Sequence, residues 1–195
     1  MEIGAALTAL ICIFLTIRNS IWNWVWGLMS VVLYAWVFWT GNIYANAWLQ
    51  ILYYVPIQFI GWYVWLRFGP KRNDDLPVTE LSTGARLGWI GATTALTVLF
   101  YWIFRRTADP LPLADGLTTA LSIVAQYLQV YKRFENWLFW IAADLIYVFY
   151  LFPTQKLYVS TGLYVIFTVM AAMGAIEWVR IMRAQGAGLE ECPVS

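Results

Sequence analysis

The chain has 195 residues, 62% of them hydrophobic and 18% aromatic, and Asp, Glu, Lys and Arg together make up only 12%, about half the charged share of an ordinary soluble domain. This balance excludes a soluble globular domain, a disordered chain, which needs low hydrophobicity and high charge, and, with two cysteines, a disulfide-stapled secreted module. Net charge is +1 and histidine is absent, so there is no basic field for nucleic acid, no imidazole base and no imidazole metal ligand.

A helix needs about 20 predominantly apolar residues to cross the hydrocarbon core. Runs of that kind, separated by charge, Pro or Gly, predict seven spans, near residues 3–17, 22–39, 46–66, 87–104, 115–131, 136–152 and 157–179. The first has no Lys or Arg ahead of it and no small-x-small pattern after it, so it reads as a span and not as a cleaved signal. If all seven cross, alternate loops fall on opposite sides. Nine basic residues, Arg18, Arg67, Lys71, Arg72, Arg86, Lys132, Arg133, Arg180 and Arg183, then share one side, against Arg105, Arg106 and Lys156 on the other. The positive-inside rule predicts an outside N-terminus and a cytoplasmic C-terminus.

The linker 69–86, with Pro70, Pro77 and mixed charge, reads as a cytoplasmic connection between two halves. A shift of 113 residues places Asn23 and Trp24 on Asn136 and Trp137, Tyr34 on Tyr147, Gly61 on Gly174, Trp65 on Trp178 and Arg67 on Arg180. Three spans per repeat is an odd number, so a single intervening span is needed for both repeats to point the same way. The expectation is an all-α integral membrane protein in a 3+1+3 parallel repeat, a design used by secondary transporters. Its parts are residues 1–68, a loop and linker helix over 69–112, residues 113–182 and a cytoplasmic tail from 183 to 195.

Polar side chains inside a bilayer are costly and usually face a bundle interior or hydrated cavity. On the sixth segment Asn136, Trp140, Asp144 and Tyr147 recur on one face. On the fifth, Thr118, Ser122, Gln126 and Gln129 do the same, and on the second Asn23, Gly27, Ser30 and Tyr34. The third adds Asn46, Gln50, Tyr53 and Tyr54. Such groups also serve as hydrogen-bonding glue between helices, at around 1 kcal/mol each, and singly each fits that role better. Asp144 differs: with no Lys or Arg at mid-depth to pair with it, it requires hydration, protonation or a polar neighbour such as Tyr147.

Trp22, Trp24, Trp39, Trp62, Trp65 and Trp178 lie near segment ends, where indoles favour the headgroup level. Trp137 and Trp140 adjoin the polar stripe, where a flat heteroaromatic solute could stack while amides read its polar edge. Pro56 should kink the third segment. No phosphate-cradling G-x-x-x-x-G-K-[ST] or C-x-x-C word occurs, so neither an ATP-driven pump nor an enzyme is expected, and no cofactor. A retinal protein needs a mid-membrane lysine, whereas Lys71, Lys132 and Lys156 lie in loops or at segment ends.

Specific words remain: Ile43-Tyr44-Ala45-Asn46 leading into Leu49-Gln50; Gly61-Trp62-Tyr63-Val64-Trp65; Leu121-Ser122-Ile123-Val124-Ala125-Gln126; and Glu135-Asn136-Trp137-Leu138-Phe139-Trp140 with Asp144 and Tyr147. From about residue 18 to 180 the chain resembles the PnuC family of bacterial vitamin transporters, with Ile60 in place of the aromatic common before Gly61. The resemblance implies a SWEET-like seven-helix fold in the bacterial inner membrane, often a homotrimer. It implies facilitated diffusion of nicotinamide riboside, trapped by a cytoplasmic kinase for NAD biosynthesis. Thiamine or riboflavin transport is the alternative within the family, and a ligand receptor that does not transport is the alternative outside it. Carried onto this sequence, Trp137 and Trp140 would flank the planar ring. Asn136, Gln126, Asp144, Asn46 and Gln50 would be polar contacts, with Tyr147 on the same face.

Overall fold

The computed structural model describes residues 2–40, 44–67, 76–107, 109–154 and 158–190, which are helical apart from short turns and one isolated bridge. In order they form α1 (Glu2–Ile17), α2 (Asn23–Thr40), α3 (Tyr44–Leu49), a π turn (Gln50–Tyr54), α4 (Val55–Arg67), α5 (Thr83–Phe104), α6 (Pro112–Val130), α7 (Asn136–Ile146), a second π turn (Tyr147–Leu151), α8 (Phe152–Thr154) and α9 (Tyr158–Glu190). Each π turn continues the helices on either side of it, so the described residues make seven rods, near the seven predicted runs. Thr83–Phe104, Asn136–Thr154 and Ser160–Gln185 are long and apolar enough to cross a membrane, while Ile3–Ile17 is apolar but shorter.

The chain folds as two compact units, Met1–Pro77 with Arg180–Ser195, and Val78–Val179. In the first, α1 packs on α2, and hydroxyls and amides knit the pair: Ser30 Oγ donates to the Ala5 carbonyl at 3.2 Å and Asn23 Nδ2 to Thr16 Oγ1 at 3.1 Å. Thr8 and Thr16 turn their hydroxyls onto carbonyls three or four residues back, as Thr93, Thr97 and Thr118 do in the second unit. A membrane helix satisfies a threonine most simply in this way. Of the stripe on α2, then, Asn23 and Ser30 join helices.

The two π turns share a cause. Val55 N–H bonds to the Gln50 carbonyl five residues back and Pro56 follows; Phe152 N–H bonds to the Tyr147 carbonyl and Pro153 follows. Proline offers no N–H, and its ring crowds the carbonyl four residues earlier, so the turn ahead of it widens.

In the first unit the turn after α1 passes through Asn19 at φ 54°, Trp24 meets Trp65 edge-on at 5.3 Å and 89°, and Gly61 lies against the Trp24 ring. In the second unit the turn after α6 passes through Lys132 at φ 46°, Trp137 meets Trp178 edge-on at 5.5 Å and 87°, and Gly174 lies against the Trp137 ring. Every one of these positions is 113 residues after its counterpart. The turn hydrogen bonds keep the same interval: Ser20 N–H to the Leu15 carbonyl and Asn23 N–H to that of Ser20 correspond to Arg133 with Leu128 and Asn136 with Arg133.

Candidate substrate site

The predicted polar stripes of the second unit lie on α6 and α7, which pack together. Pro112 opens α6, where its missing N–H costs nothing, and Thr118, Ser122, Gln126 and Gln129 are all buried along it. Thr118 donates to the Ala114 and Asp115 carbonyls, so its donor is already used, and it also meets the Tyr147 hydroxyl. Gln126 is 5% exposed and its Nε2 has no hydrogen-bond acceptor among the described residues. A buried amide left in that state costs about 1–3 kcal/mol.

On α7, Asn136 is fully buried; its Nδ2 donates to the Arg133 carbonyl at 2.6 Å and its Oδ1 is left without a partner among the described residues. One turn on, Trp140 is half-buried and its Nε1 donates to Gln129 Oε1 at 3.4 Å, the long limit of a hydrogen bond. Two turns on, Asp144 is 5% exposed, with no hydrogen bond or ion pair among the described residues. Tyr147, at the π turn, stacks on Phe152 at 5.1 Å and leans on Tyr164 at 4.8 Å. The structure thus brings Gln126, Gln129, Asn136, Trp140, Asp144 and Tyr147 onto one packed pair of helices.

Trp137 is placed differently. It is 2% exposed, with its ring between Gly174 and Trp178, the arrangement Trp24 has in the first unit. Gln50, half-buried, begins the first unit's π turn. Asn46 has its backbone in α3, and its side chain lies outside the described residues. Pro70, Lys71, Arg72 and Lys156 lie outside them too. No cluster of metal-ligating side chains occurs among the described residues.

Two features have little signal in the sequence. Gln129 is one of four polar residues on the α6 stripe, and its bond to Trp140 sets it apart. Glu135, visible only as the first letter of the E-N-W-x-x-W word, is 3% exposed and takes 2.7 and 3.0 Å bonds from Arg86 Nε and Leu81 N–H.

Apolar rods, outward-facing aliphatic and aromatic side chains and a few buried polar atoms without hydrogen-bond partners among the described residues define a multi-pass membrane protein. Residues 1–180 match the family model described as nicotinamide mononucleotide transporter, and the chain belongs to that family: it is a membrane transporter and not an enzyme. Among similar proteins, the nicotinamide riboside transporter PnuC of Neisseria mucosa is 27% identical, covering 92% of this chain and 72% of its own length. The protein of the same name from Escherichia coli is 26% identical, covering 96% and 88%, and that from Haemophilus influenzae 25%, covering 92% and 79%. The crystal structure of the vitamin B3 transporter PnuC superimposes with a TM-score of 0.75 at 26% identity, covering 93% of this chain and 81% of that one.

Proposed function

We propose that the chain is a facilitative carrier that equilibrates nicotinamide riboside across the bacterial inner membrane, with phosphorylation by a cytoplasmic kinase trapping the product for NAD biosynthesis. One observation carries this reading: the buried Gln126 amide, whose Nε2 has no acceptor among the described residues, and the buried Asp144 carboxylate lie on the two helices that also present Trp140. The riboside is a flat cationic ring bearing a carboxamide and ribose hydroxyls. An indole face attracts such a cation, a carboxylate complements its charge, and buried amides left unpaired are ready for its polar edge. The nicotinamide riboside transporters to which the chain is similar point to the same substrate. Trp140 supplies the stacking face, Trp137 backs the wall, and Asn136, Gln129 and Tyr147 complete the second unit's contribution. Asn46 and Gln50 are further polar contacts on the family resemblance alone.

Seven spans in a SWEET-like 3+1+3 parallel repeat belong to the same proposal, with residues 1–68 and 113–182 as the repeats. The recurrence of paired tryptophans, glycines and turns at an interval of 113 supports it. The nine-to-three bias of basic residues supports an outside N-terminus. Trimeric assembly rests on the family resemblance. Titration of the purified protein with nicotinamide riboside, thiamine and riboflavin tests the substrate: the riboside should bind most tightly, and tighter binding of thiamine or riboflavin overturns that assignment.

A further inference from the structure

We propose that Glu135 and Arg86 are positioning residues for the substrate site, holding the start of α7 by strapping the linker across the α6–α7 turn. The strap is built from Thr79 and Leu81 of the linker and Arg86 in the first turn of α5. Thr79 donates its N–H to the Lys132 carbonyl at 3.1 Å and accepts from Phe134 N–H at 2.8 Å, and its hydroxyl accepts from Arg133 Nη1 at 2.8 Å. Leu81 N–H reaches both oxygens of Glu135, at 3.0 and 3.2 Å, and Arg86 Nε donates to the same carboxylate at 2.7 Å. The outer end of Arg86 pairs with exposed Glu80 at 2.8 Å.

Glu135 matters because of where its backbone sits. Its carbonyl accepts from Leu138 and Phe139 N–H, so it is the origin of α7, and its side chain ties that origin to the first turn of α5. Successive helical residues are about 100° apart around the axis, so a small slip at the origin is carried up α7 to Asn136, Trp140 and Asp144. The 3.4 Å bond from Trp140 to Gln129 has no slack to absorb it. A buried carboxylate is costly unless it is paired and hydrogen-bonded, and this one is both. The turn 113 residues earlier has the same backbone bonds but carries Ser20 and Trp22 where this one has Arg133 and Glu135. The turn geometry therefore forms without any carboxylate, and Glu135 is not needed to make the turn.

This inference rests on the substrate site proposed above, and the experiment separates the two. Riboside affinity and hydrogen exchange at residues 136–140 are measured on full-length protein for the parent, Glu135→Gln, Arg86→Gln, the charge-swapped pair Glu135→Arg with Arg86→Glu, and Glu80→Gln. Positioning predicts about tenfold weaker binding and faster exchange in both single variants. It also predicts partial recovery in the swapped pair and parent behaviour in Glu80→Gln, whose partner bond is at the surface. Affinity within twofold of the parent in both single variants, or a loss of stability with no change in affinity, overturns it. If Glu135→Gln does not yield folded protein, Arg86→Gln decides, because the Arg86 side chain is 43% exposed. If the parent itself does not bind the riboside, the functional reading fails, and exchange alone judges the strap: protection at 136–140 unchanged in Arg86→Gln overturns it.

Discussion

Trp137 and Trp140 are one helical turn apart on α7, yet their surroundings assign them different work. Trp137 is enclosed by Gly174 and Trp178, whereas Trp140 is half-buried with only its N–H engaged. A Cβ at Gly174 or Gly61 would enter the ring of the facing tryptophan, and overpacking of this kind costs about 1–3 kcal/mol. Gly174→Ala and Gly61→Ala should each lower the melting temperature in detergent by several degrees, while Gly88→Ala, with nothing nearby, should leave it unchanged. Trp140→Ala should weaken riboside binding about tenfold with little change in stability; unchanged affinity returns the indole to packing. Asp144→Asn keeps shape and removes charge, and a comparable loss measured by titration is expected if the carboxylate faces the cationic ring. The stripe Asn136, Trp140, Asp144 was legible because helical spacing alone puts these residues on one face. The enclosure of Trp137 was not, because the glycine that makes room for it lies 37 residues away in sequence.

At the scale of elements, the apolar runs gave the rods nearly in register because charges and helix breakers end them. The largest differences have local causes. Helix α5 starts at Thr83 and not after Arg86, since the Ser82 hydroxyl accepts from Ala85 N–H and Arg86 is held by Glu135. Helix α9 runs on to Glu190, past the last apolar residue counted as membrane. The turn ahead of Pro56 is a π turn, for which hydropathy has no signature. Both π turns shift the helix register by one residue directly ahead of a proline. Pro56→Ala and Pro153→Ala should let a regular α turn return and rotate the residues beyond it, which predicts slower transport, measured by riboside uptake, with protein yield and monodispersity maintained.

For the whole molecule, the family membership and the all-helical apolar build make this a transporter in a membrane; direction, coupling and topology are the proposals to test. The proposed outside N-terminus rests on charge bias; on that proposal a cysteine introduced at Gly4 should react with a membrane-impermeant thiol reagent on intact cells, and one introduced at Gln185 only after permeabilisation. The reverse pattern rejects the outside N-terminus. The central claim is facilitated exchange of nicotinamide riboside, and counterflow in proteoliposomes tests it most directly. Vesicles preloaded with unlabelled riboside should take up labelled riboside transiently, without ATP or an ion gradient, until both sides equilibrate. No uptake above protein-free vesicles would contradict transport, and accumulation that follows an imposed proton or sodium gradient would contradict the uniport mechanism.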